Sequence, residues 1–312
     1  MNYHYIREAM PERGIYGVTP NSFETQLDLI ANNGFHFISL EEMHAAILSG
    51  EARFLKKKSC LVTFDDGLRE SYEVGLPLLD RKGIPAAFYV SSSTIQRALV
   101  LDVHKFHFIQ SQMSTQQIMN FIPSQYLSRL DSVLEDVVNR QYFWDDSETS
   151  RVKYLINFLL TPTEKKEVIQ ELFNKNVLSE VAFAKDLYMS YDQVSDLAKR
   201  KYLGFHGVSH LPLATLSLDQ LNFEIKGSSL NLPLGLSEKV DSISYPYGGR
   251  SAVGQNVFDA ARNANYISGL TMLPGLNNEK DLIHSPLQLK RFDTNDVFGG
   301  KTEYIYRSLF ND

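Results

Sequence analysis

The residues of this sequence best suited to chemistry are two adjacent carboxylates, Asp65 and Asp66, within the run Thr63-Phe64-Asp65-Asp66-Gly67. The apolar run Cys60-Leu61-Val62 precedes them and predicts a buried strand, and Gly67 predicts a turn. We therefore expect both acids at the C-terminal end of a strand, where α/β enzymes place their catalytic groups. Because adjacent residues on a strand end point to different sides, one acid can bind a metal while the other faces substrate or water. The alternative is a turn in which Asp66 only caps the next helix.

Two histidines, His206 and His210, follow another predicted strand. Residues four apart share a face if the loop turns helically, so both imidazoles can then reach one ion. The alternative is an ordinary pair of loop histidines, since the chain has 8 His. One carboxylate with two imidazoles makes a three-ligand site with an open position, which is the layout of a hydrolytic zinc centre.

A third cluster, Ser244-Tyr245-Pro246-Tyr247-Gly248-Gly249, also ends a predicted strand. A turn built from proline, an aromatic residue and glycine holds the backbone rigidly and can aim a peptide N–H outward. Such an N–H suits an oxyanion hole. A plain turn is the alternative.

The first hundred residues alternate between strand and helix patterns. Helices are predicted at 23–33, 41–48 and 70–79, and strands at 35–38 and 86–90, besides the strand before Asp65. This order is typical of a parallel sheet or barrel in an α/β protein.

The alternation stops between about 96 and 190, where long amphipathic stretches at 118–138 and 152–160 predict helices. It then resumes, with helices predicted at 218–230 and 257–265, and with strands predicted at 202–205, 242–245, 266–268 and 287–289. We interpret the chain as one domain, 1–312, with a helical insertion at about 96–190.

Composition excludes several classes of protein. The 312 residues are 43% apolar and 22% charged, as in ordinary globular proteins. A net charge of −6, without a basic run, makes nucleic-acid binding a poor candidate. The single Cys60 excludes an intrachain disulfide and is expected as a buried thiol. Neither a signal peptide nor a membrane span is recognisable, so a cytoplasmic location is expected.

Taken in order, TFDDG, the HxxxH pair and YPYG resemble the motifs of the NodB-type polysaccharide deacetylases, the fourth carbohydrate-esterase family. Residues 3–7 and 23–40 resemble the opening elements of that family. Further segments resemble an uncharacterised subgroup that is linked with surface-polysaccharide synthesis, namely 101–108, 188–190 and 289–296. The resemblance implies a distorted (β/α) barrel of about seven or eight strands, with the site at their C-terminal ends.

The resemblance also implies roles for single residues. Asp66, His206 and His210 would hold a divalent metal, most simply Zn²⁺. Asp65 would be the general base toward the attacking water, and the backbone N–H of Tyr247 would face the oxyanion. An acid must then protonate the departing amine.

The sequence departs from the family pattern at two motif positions. Gly207 stands where the family usually has Ser or Thr. Ser244 stands where the family usually has the arginine that orients the base. Arg291, on a late strand end with Asp293, could substitute for that arginine, and a surface ion pair is the alternative.

The acid is the least determined role, because the late histidine motif of the family is not clearly present. The candidates are His284, His104 from the insertion, and His4 on the opening strand. His4 could line the cleft or pack against Tyr245. We assign His4, Tyr245 and Gly248 to substrate binding.

These observations predict a metal-dependent deacetylase that hydrolyses the N-acetyl group of an amino sugar in a surface-polysaccharide precursor, carried on a nucleotide or a lipid. The insertion would cap the cleft. Its Tyr142 and Trp144 could stack on a sugar ring, although helix packing is the simpler role. The alternatives are hydrolysis of a non-sugar amide or formamide, and a catalytically silent protein that binds a glycan or partner proteins.

Overall fold

Six parallel strands form the central sheet of the structure, a computed structural model that describes residues 1–52, 55, 58–142, 145–230 and 240–297. In spatial order the strands are β1 (Asn2–Tyr3), β6 (Val62–Phe64), β7 (Ala86–Val90), β8 (Leu203–Phe205), β9 (Ser242–Ser244) and β10 (Ser268–Leu270). Two small parallel pairs lie beside the sheet and consist of β2 (Tyr5–Ile6) with β3 (Gly17–Val18), and β4 (His36–Phe37) with β5 (Ser59–Cys60).

The sheet curls so that one segment, 289–293, reaches both of its edges. Leu289 makes an isolated parallel bridge to Leu270 of β10, and Asp293 makes one to Asn2 of β1. The predicted strand at 287–289 is wrong, because Pro286–Gln288 forms a 3₁₀ turn, which suits the fixed φ and missing N–H of proline. The strand predicted at 266–268 is shifted to β10.

The first helices begin and end at ordinary capping signals. They are α1 (Pro20–Asn32), α2 (Leu40–Ser49) and α3 (Leu76–Lys82). Ser39 and Glu42 form a capping box at the start of α2. The helix predicted at 70–79 instead begins as a π-helical turn, Ser71–Gly75, that leads into α3.

Between β7 and β8 the described chain is helical. Its α-helices are α4 (Asp102–Gln112), α5 (Thr115–Met119), α6 (Ser124–Leu127), α7 (Glu135–Gln141), α8 (Ser147–Tyr154), α9 (Pro162–Asn176), α10 (Glu180–Leu187) and α11 (Tyr191–Lys199). The single long helix predicted at 118–138 is broken into short pieces, since Pro123 cannot continue a helix. That these helices form an insertion in one domain, 1–312, remains our proposal.

The last part of the described chain carries α12 (Leu218–Leu230), α13 (Gln255–Asn263) and α14 (Glu279–His284). Helix α12 has the predicted bounds. None of the helices in the described ranges is long and apolar enough to span a membrane.

The core beneath the sheet is aromatic and closely packed. The rings of Phe64 and Phe88, on neighbouring strands, stack with centroids 4.7 Å apart. Gly204 of β8 lies against the ring of Tyr89, so closely that a Cβ at this position would overlap the ring. Cys60 is half-buried in β5, and not fully buried as expected.

Gly204→Ala should therefore destabilise the fold by about 1–3 kcal/mol, because the added methyl must displace a buried ring. Gly227→Ala, in α12, is the matched control. Its Cβ would meet only side-chain atoms, the nearest being Val208 Cγ2 at 3.3 Å. Urea unfolding of both variants tests this, and equal midpoints would contradict the close packing at Gly204.

Candidate active site

Asp65 and Asp66 follow β6 directly and reach different partners. Asp66 has a left-handed backbone (φ 74°), and so has Gly67 (φ 70°). A Cβ on Gly67 would lie 2.8 Å from Val90 Cγ1, so only glycine fits there. Both carboxylates are buried. Within the described ranges, Asp66 caps no helix, and its side-chain partners are histidines.

Asp66, His206 and His210 form a cluster that fits a divalent ion. Asp66 Oδ1 lies 3.3 Å from Nε2 of His206 and 3.3 Å from Nε2 of His210. All three ligand atoms lie within 4.8 Å of one another. Asp66 Oδ1 is buried and has no hydrogen-bond partner in the described part of the chain, which is costly unless a cation binds it. One oxygen and two nitrogens are a donor set that zinc accepts.

Hydrogen bonding orients His206 for a cation and burial keeps His210 neutral, whereas the nearby carboxylates favour the protonated form of His206. His206 Nδ1 donates to the Ser244 carbonyl at 2.8 Å, which leaves the Nε2 lone pair facing Asp66. Burial alone would lower the pKa of His206, but the charges of Asp65 and Asp66 outweigh it and raise this pKa. Burial lowers the pKa of His210 to about 4 despite Asp66. His210 is thus neutral at pH 7, as a metal ligand must be.

The loop that carries the histidines is not helical, so a shared helical face is not what brings the two imidazoles together. Left-handed residues, Gly207 (φ 72°) and His210 (φ 56°), fold the loop back instead. The Glu224 carboxylate of α12 holds it by accepting from the N–H groups of Val208 and Ser209, each at 2.9 Å. A Cβ on Gly207 would lie 3.2 Å from Glu224 Oε2, so glycine suits this position better than Ser or Thr.

Arg291 lies against Asp65 and forms a two-pronged ion pair with it. Its Nη1 donates to Oδ1 at 3.1 Å and its Nη2 donates to Oδ2 at 2.8 Å. Both side chains are buried, so this is not the surface ion pair considered as the alternative. Burial alone would raise the pKa of Asp65, but Arg291, and then His206, lower it to about 2. Asp65 is therefore ionised throughout the ordinary pH range.

Three further polar side chains complete the surroundings of this ion pair. Ser244 Oγ donates to Asp65 Oδ2 at 3.0 Å and accepts from Arg291 Nη2 at 2.7 Å. Asn2 Nδ2 donates to Asp65 Oδ2 at 3.2 Å, and Asn2 Oδ1 accepts from Arg291 Nη1 at 2.8 Å. Thr63 Oγ1 accepts from the same Nη1 at 3.1 Å. The sequence did not single out Asn2 or Thr63, and their positions at strand ends were the only available indication.

The turn after β9 places its residues in three different ways. Tyr247 (φ 60°) packs its ring edge-on against His210, and its N–H has no acceptor among the described residues. Tyr245 is fully buried and its hydroxyl donates to the Leu287 carbonyl, so only its backbone is left for a substrate. The Gly248 carbonyl accepts from Met272 N–H at 3.0 Å. Gly248 does not line the cavity, although its neighbour Gly249 does.

A cavity of about 370 Å³ is lined by Asp65, Asp66, His206 and His210, among other residues. Helices from the segment between β7 and β8 supply one wall, which includes Tyr142, Asp145, Lys153 and Asn157. This wall touches the turn directly, since Tyr247 Oη donates to Asn157 Oδ1 at 3.0 Å. Tyr142 Oη accepts from Asn157 Nδ2 at 2.8 Å, while Trp144 lies outside the described residues.

The candidate acids lie in very different places. His4 is half-buried, lines the cavity and has its Nδ1 3.8 Å from Asp293 Oδ2. His104 does not lean over the cavity as expected, because it is buried with Nε2 3.1 Å from Asp66 Oδ2 and Nδ1 2.6 Å from Tyr188 Oη. His284 is exposed at the end of α14 and does not line the cavity. His107, which the sequence did not single out, lines it.

Comparison with known proteins agrees with the motifs. Residues 53–128 match the model of the family described as polysaccharide deacetylase. The Bacillus subtilis (strain 168) protein YxkH, which is named as a polysaccharide deacetylase, is 26% identical to this chain over 111 residues. Over these segments the chain is thus similar to polysaccharide deacetylases. The aligned stretch covers 36% of this chain and only 35% of the length of YxkH.

Two solved structures share the fold of this protein over almost the whole chain. IcaB from Ammonifex degensii has a TM-score of 0.58 at 15% identity, with 98% of this chain and 94% of that chain covered. The Streptococcus pyogenes deacetylase PplD, in complex with acetate, has a TM-score of 0.54 at 19% identity, with 98% and 95% covered. The predicted α/β class, with a curled parallel sheet and surrounding helices, is thereby confirmed.

Arg291→Ala should lower the free energy of unfolding by about 3–5 kcal/mol, since it leaves the Asp65 carboxylate buried without its charged partner. Asp65→Asn in the same chain should recover part of that loss. Arg200→Ala, which removes an exposed pair with Asp80, is the control and should cost under about 1 kcal/mol. Urea unfolding gives the free energy of unfolding of wild type, Arg291→Ala, the double variant with Asp65→Asn, and Arg200→Ala. Equal losses for Arg291→Ala and Arg200→Ala would contradict a buried pair.

Proposed function

We propose that this protein is a polysaccharide deacetylase, a metal-dependent hydrolase that removes the acetyl group from an N-acetylated amino sugar. One observation carries the proposal. Two neighbouring buried carboxylates have separate partners, with Asp66 directed to two imidazoles and Asp65 paired with a guanidinium, and both border one cavity. A site that only held a metal would not need the second carboxylate.

The residues suited to holding the ion are Asp66, His206 and His210, and their donor set favours Zn²⁺. When bound, such an ion supplies Lewis acidity toward an acetamide carbonyl and lowers the pKa of a water. The orphaned Asp66 Oδ1 is the observation that supports its presence.

Asp65 is the proposed general base toward the attacking water. The bonds from Arg291, Ser244 and Asn2 fix the orientation of its carboxylate, which is the condition for efficient proton transfer. These three donors all reach Oδ2, whereas among the described residues Oδ1 accepts only from Arg291 Nη1 at 3.1 Å, so Oδ1 keeps a lone pair for the water. The unpaired N–H of Tyr247, next to His210, is our proposed donor to the oxyanion.

His4 is the proposed acid that protonates the departing amine. Among the described residues, the imidazoles that line the cavity are His4, His107, His206 and His210. The last two are the proposed ligands. Desolvation, aided by the charges of His104 and Lys153, lowers the pKa of His107 well below its usual range, so it carries no proton to donate near pH 7. His4 borders the cavity, and its Nδ1 lies 3.8 Å from Asp293 Oδ2.

The proposed substrate is a precursor of a surface polysaccharide. A volume of about 370 Å³ is at the small end of ligand pockets, which favours one sugar unit with its acetamide over a buried length of polymer. Two exposed arginines at the cavity, Arg140 and Arg250, could face the phosphate of a nucleotide or lipid carrier. The cytoplasmic location stays a prediction.

Acetate release tests the activity. Purified protein should contain near-stoichiometric Zn²⁺ and release acetate from N-acetylated sugar nucleotides, in a panel that includes simple formamides. Asp65→Asn should keep the metal and lower kcat by about 10²–10⁴-fold, since it removes the base alone. Asp66→Asn should lose the metal. Release from formamides but not from sugars would favour the non-sugar reading, and bound metal with no release from any amide would favour the silent binding protein.

His4→Gln should lower kcat by about 10²–10⁴-fold at pH 7 with metal content unchanged, because glutamine cannot deliver a proton. His284→Gln, which alters an exposed imidazole outside the cavity, is the control and should leave kcat as in wild type. The two variants are compared at saturating substrate. A normal kcat in His4→Gln would remove His4 from the mechanism.

A further inference from the structure

A chain of three hydrogen bonds ends on Asp66 Oδ2, the carboxylate oxygen that does not lie against His206 and His210 in an ion pair. The Leu101 N–H, at the start of α4, donates to Tyr188 Oη at 3.0 Å. Tyr188 Oη lies 2.6 Å from His104 Nδ1, and His104 Nε2 lies 3.1 Å from Asp66 Oδ2. The side chains of His104 and Tyr188 are buried, so water does not compete for these bonds.

The direction of the bond at the Asp66 end of the chain is fixed, because a carboxylate oxygen accepts and His104 Nε2 must therefore donate. The backbone N–H of Leu101 can only donate, so Tyr188 Oη accepts there and its own hydrogen is free to go to His104 Nδ1. With Nδ1 as the acceptor, the ring hydrogen of His104 is on Nε2. That N–H then donates to Asp66 Oδ2. The hydroxyl of Tyr188 is thus placed to support the tautomer of His104 that donates to the carboxylate.

The two oxygens of Asp66 are consequently used differently. Oδ2 is bound by His104, while Oδ1 has no hydrogen-bond partner in the described chain and faces Nε2 of both His206 and His210. A carboxylate that is free to rotate would offer either oxygen to an ion. Here the bond to His104 reserves Oδ1 for it.

The backbone ties the same parts together. Met189 N–H donates to the Gly67 carbonyl at 3.0 Å, and Tyr188 makes an isolated antiparallel bridge to Leu68. The segment that carries Tyr188 is thus fastened to the turn that carries Asp66. Both side-chain and backbone contacts connect the helices between β7 and β8 to the carboxylate.

We propose that His104 and Tyr188 are positioning residues that hold Asp66 as a ligand through Oδ1 and so raise the affinity of the site for its metal. This inference rests on the proposed metal site and adds two residues to it. In the usual arrangement a carboxylate or carbonyl orients a ligating histidine. Here the order is reversed, since a histidine and a tyrosine orient a ligating carboxylate.

Zn²⁺ affinity, measured by competition with a chelator, tests the proposal without any substrate. His104→Leu removes the donor and should weaken binding by about 10–100-fold, the range found for partners of ligand residues. His104→Gln keeps an N–H at a similar reach and should stay within about threefold of wild type. Tyr188→Phe retains the ring and should weaken binding by about tenfold, because His104 is then free to take the wrong tautomer.

Two control variants separate positioning from general damage. Tyr5→Phe removes another buried hydroxyl bonded to a histidine of α4, at 3.2 Å from His107 Nδ1, and should leave Zn²⁺ affinity unchanged. His107→Leu removes an imidazole one helical turn from His104 and should likewise leave Zn²⁺ affinity unchanged. Thermal unfolding of each metal-free protein shows whether it is folded. If His104→Leu does not fold, Tyr188→Phe and His104→Gln still test the chain.

Three results would overturn the proposal. His104→Leu could bind Zn²⁺ within twofold of wild type, or His104→Gln could be as weak as His104→Leu, which would indicate shape and not a donated hydrogen. His104→Leu could also lose binding as completely as His206→Leu, which would make His104 a ligand. If wild type itself binds no Zn²⁺, the proposed function fails as well, and the two failures are thereby distinguished.

Discussion

Two negative charges, on Asp65 and Asp66, are buried side by side at the end of one strand, and the rest of the site compensates for them. A buried carboxylate without a partner would either be protonated or destabilise the fold by several kcal/mol. Each charge therefore has its own partners. Asp65 is paired with Arg291, and Asp66 faces three imidazoles. This separation fits the proposed division of roles, in which Asp65 acts on water and Asp66 binds a metal.

The curled parallel sheet makes the separation possible. Because all its strands run the same way, their C-terminal ends meet at one rim, and each adds a group to the site. The loop after β8 supplies His206, β9 supplies Ser244, and the segment that bridges both sheet edges supplies Arg291. Arg291 thus comes from the same segment that brings the two edges of the sheet together. Closure of the sheet and the orientation of the Asp65 carboxylate therefore depend on the same few residues.

The helices between β7 and β8 act on the site from two directions. Tyr142, Lys153 and Asn157 line the cavity from outside, where a substrate would enter. His104 and Tyr188 form a hydrogen-bonded chain to Asp66, and the Met189 N–H donates to the Gly67 carbonyl in the turn after Asp66. A segment with no strand of its own therefore contacts both the substrate cavity and the ligand carboxylate.

The local sequence pattern around the turns at the strand ends predicted several elements correctly, and the predictions that were wrong have local causes. The apolar run before Asp65 and the exact bounds of β7 and α12 followed from residue type and period. Pro123 breaks a helix that amphipathic spacing alone extends, and Pro286 replaces an expected strand with a 3₁₀ turn. A helical turn was one way for His206 and His210 to share a face, whereas left-handed residues and the Glu224 carboxylate shape the loop.

The sequence by itself determined which groups end the strands, since short-range hydrophobic spacing and turn residues record this directly. It also contained the motif order that indicates the family. Only the tertiary structure decided which charged and polar side chains pair with one another. Asp65 and Arg291 are 226 positions apart, and His104 is 38 from Asp66. Such contacts depend on how the sheet curls and how helices dock on it. No local pattern of residues records which residues meet when they are so far apart in the sequence.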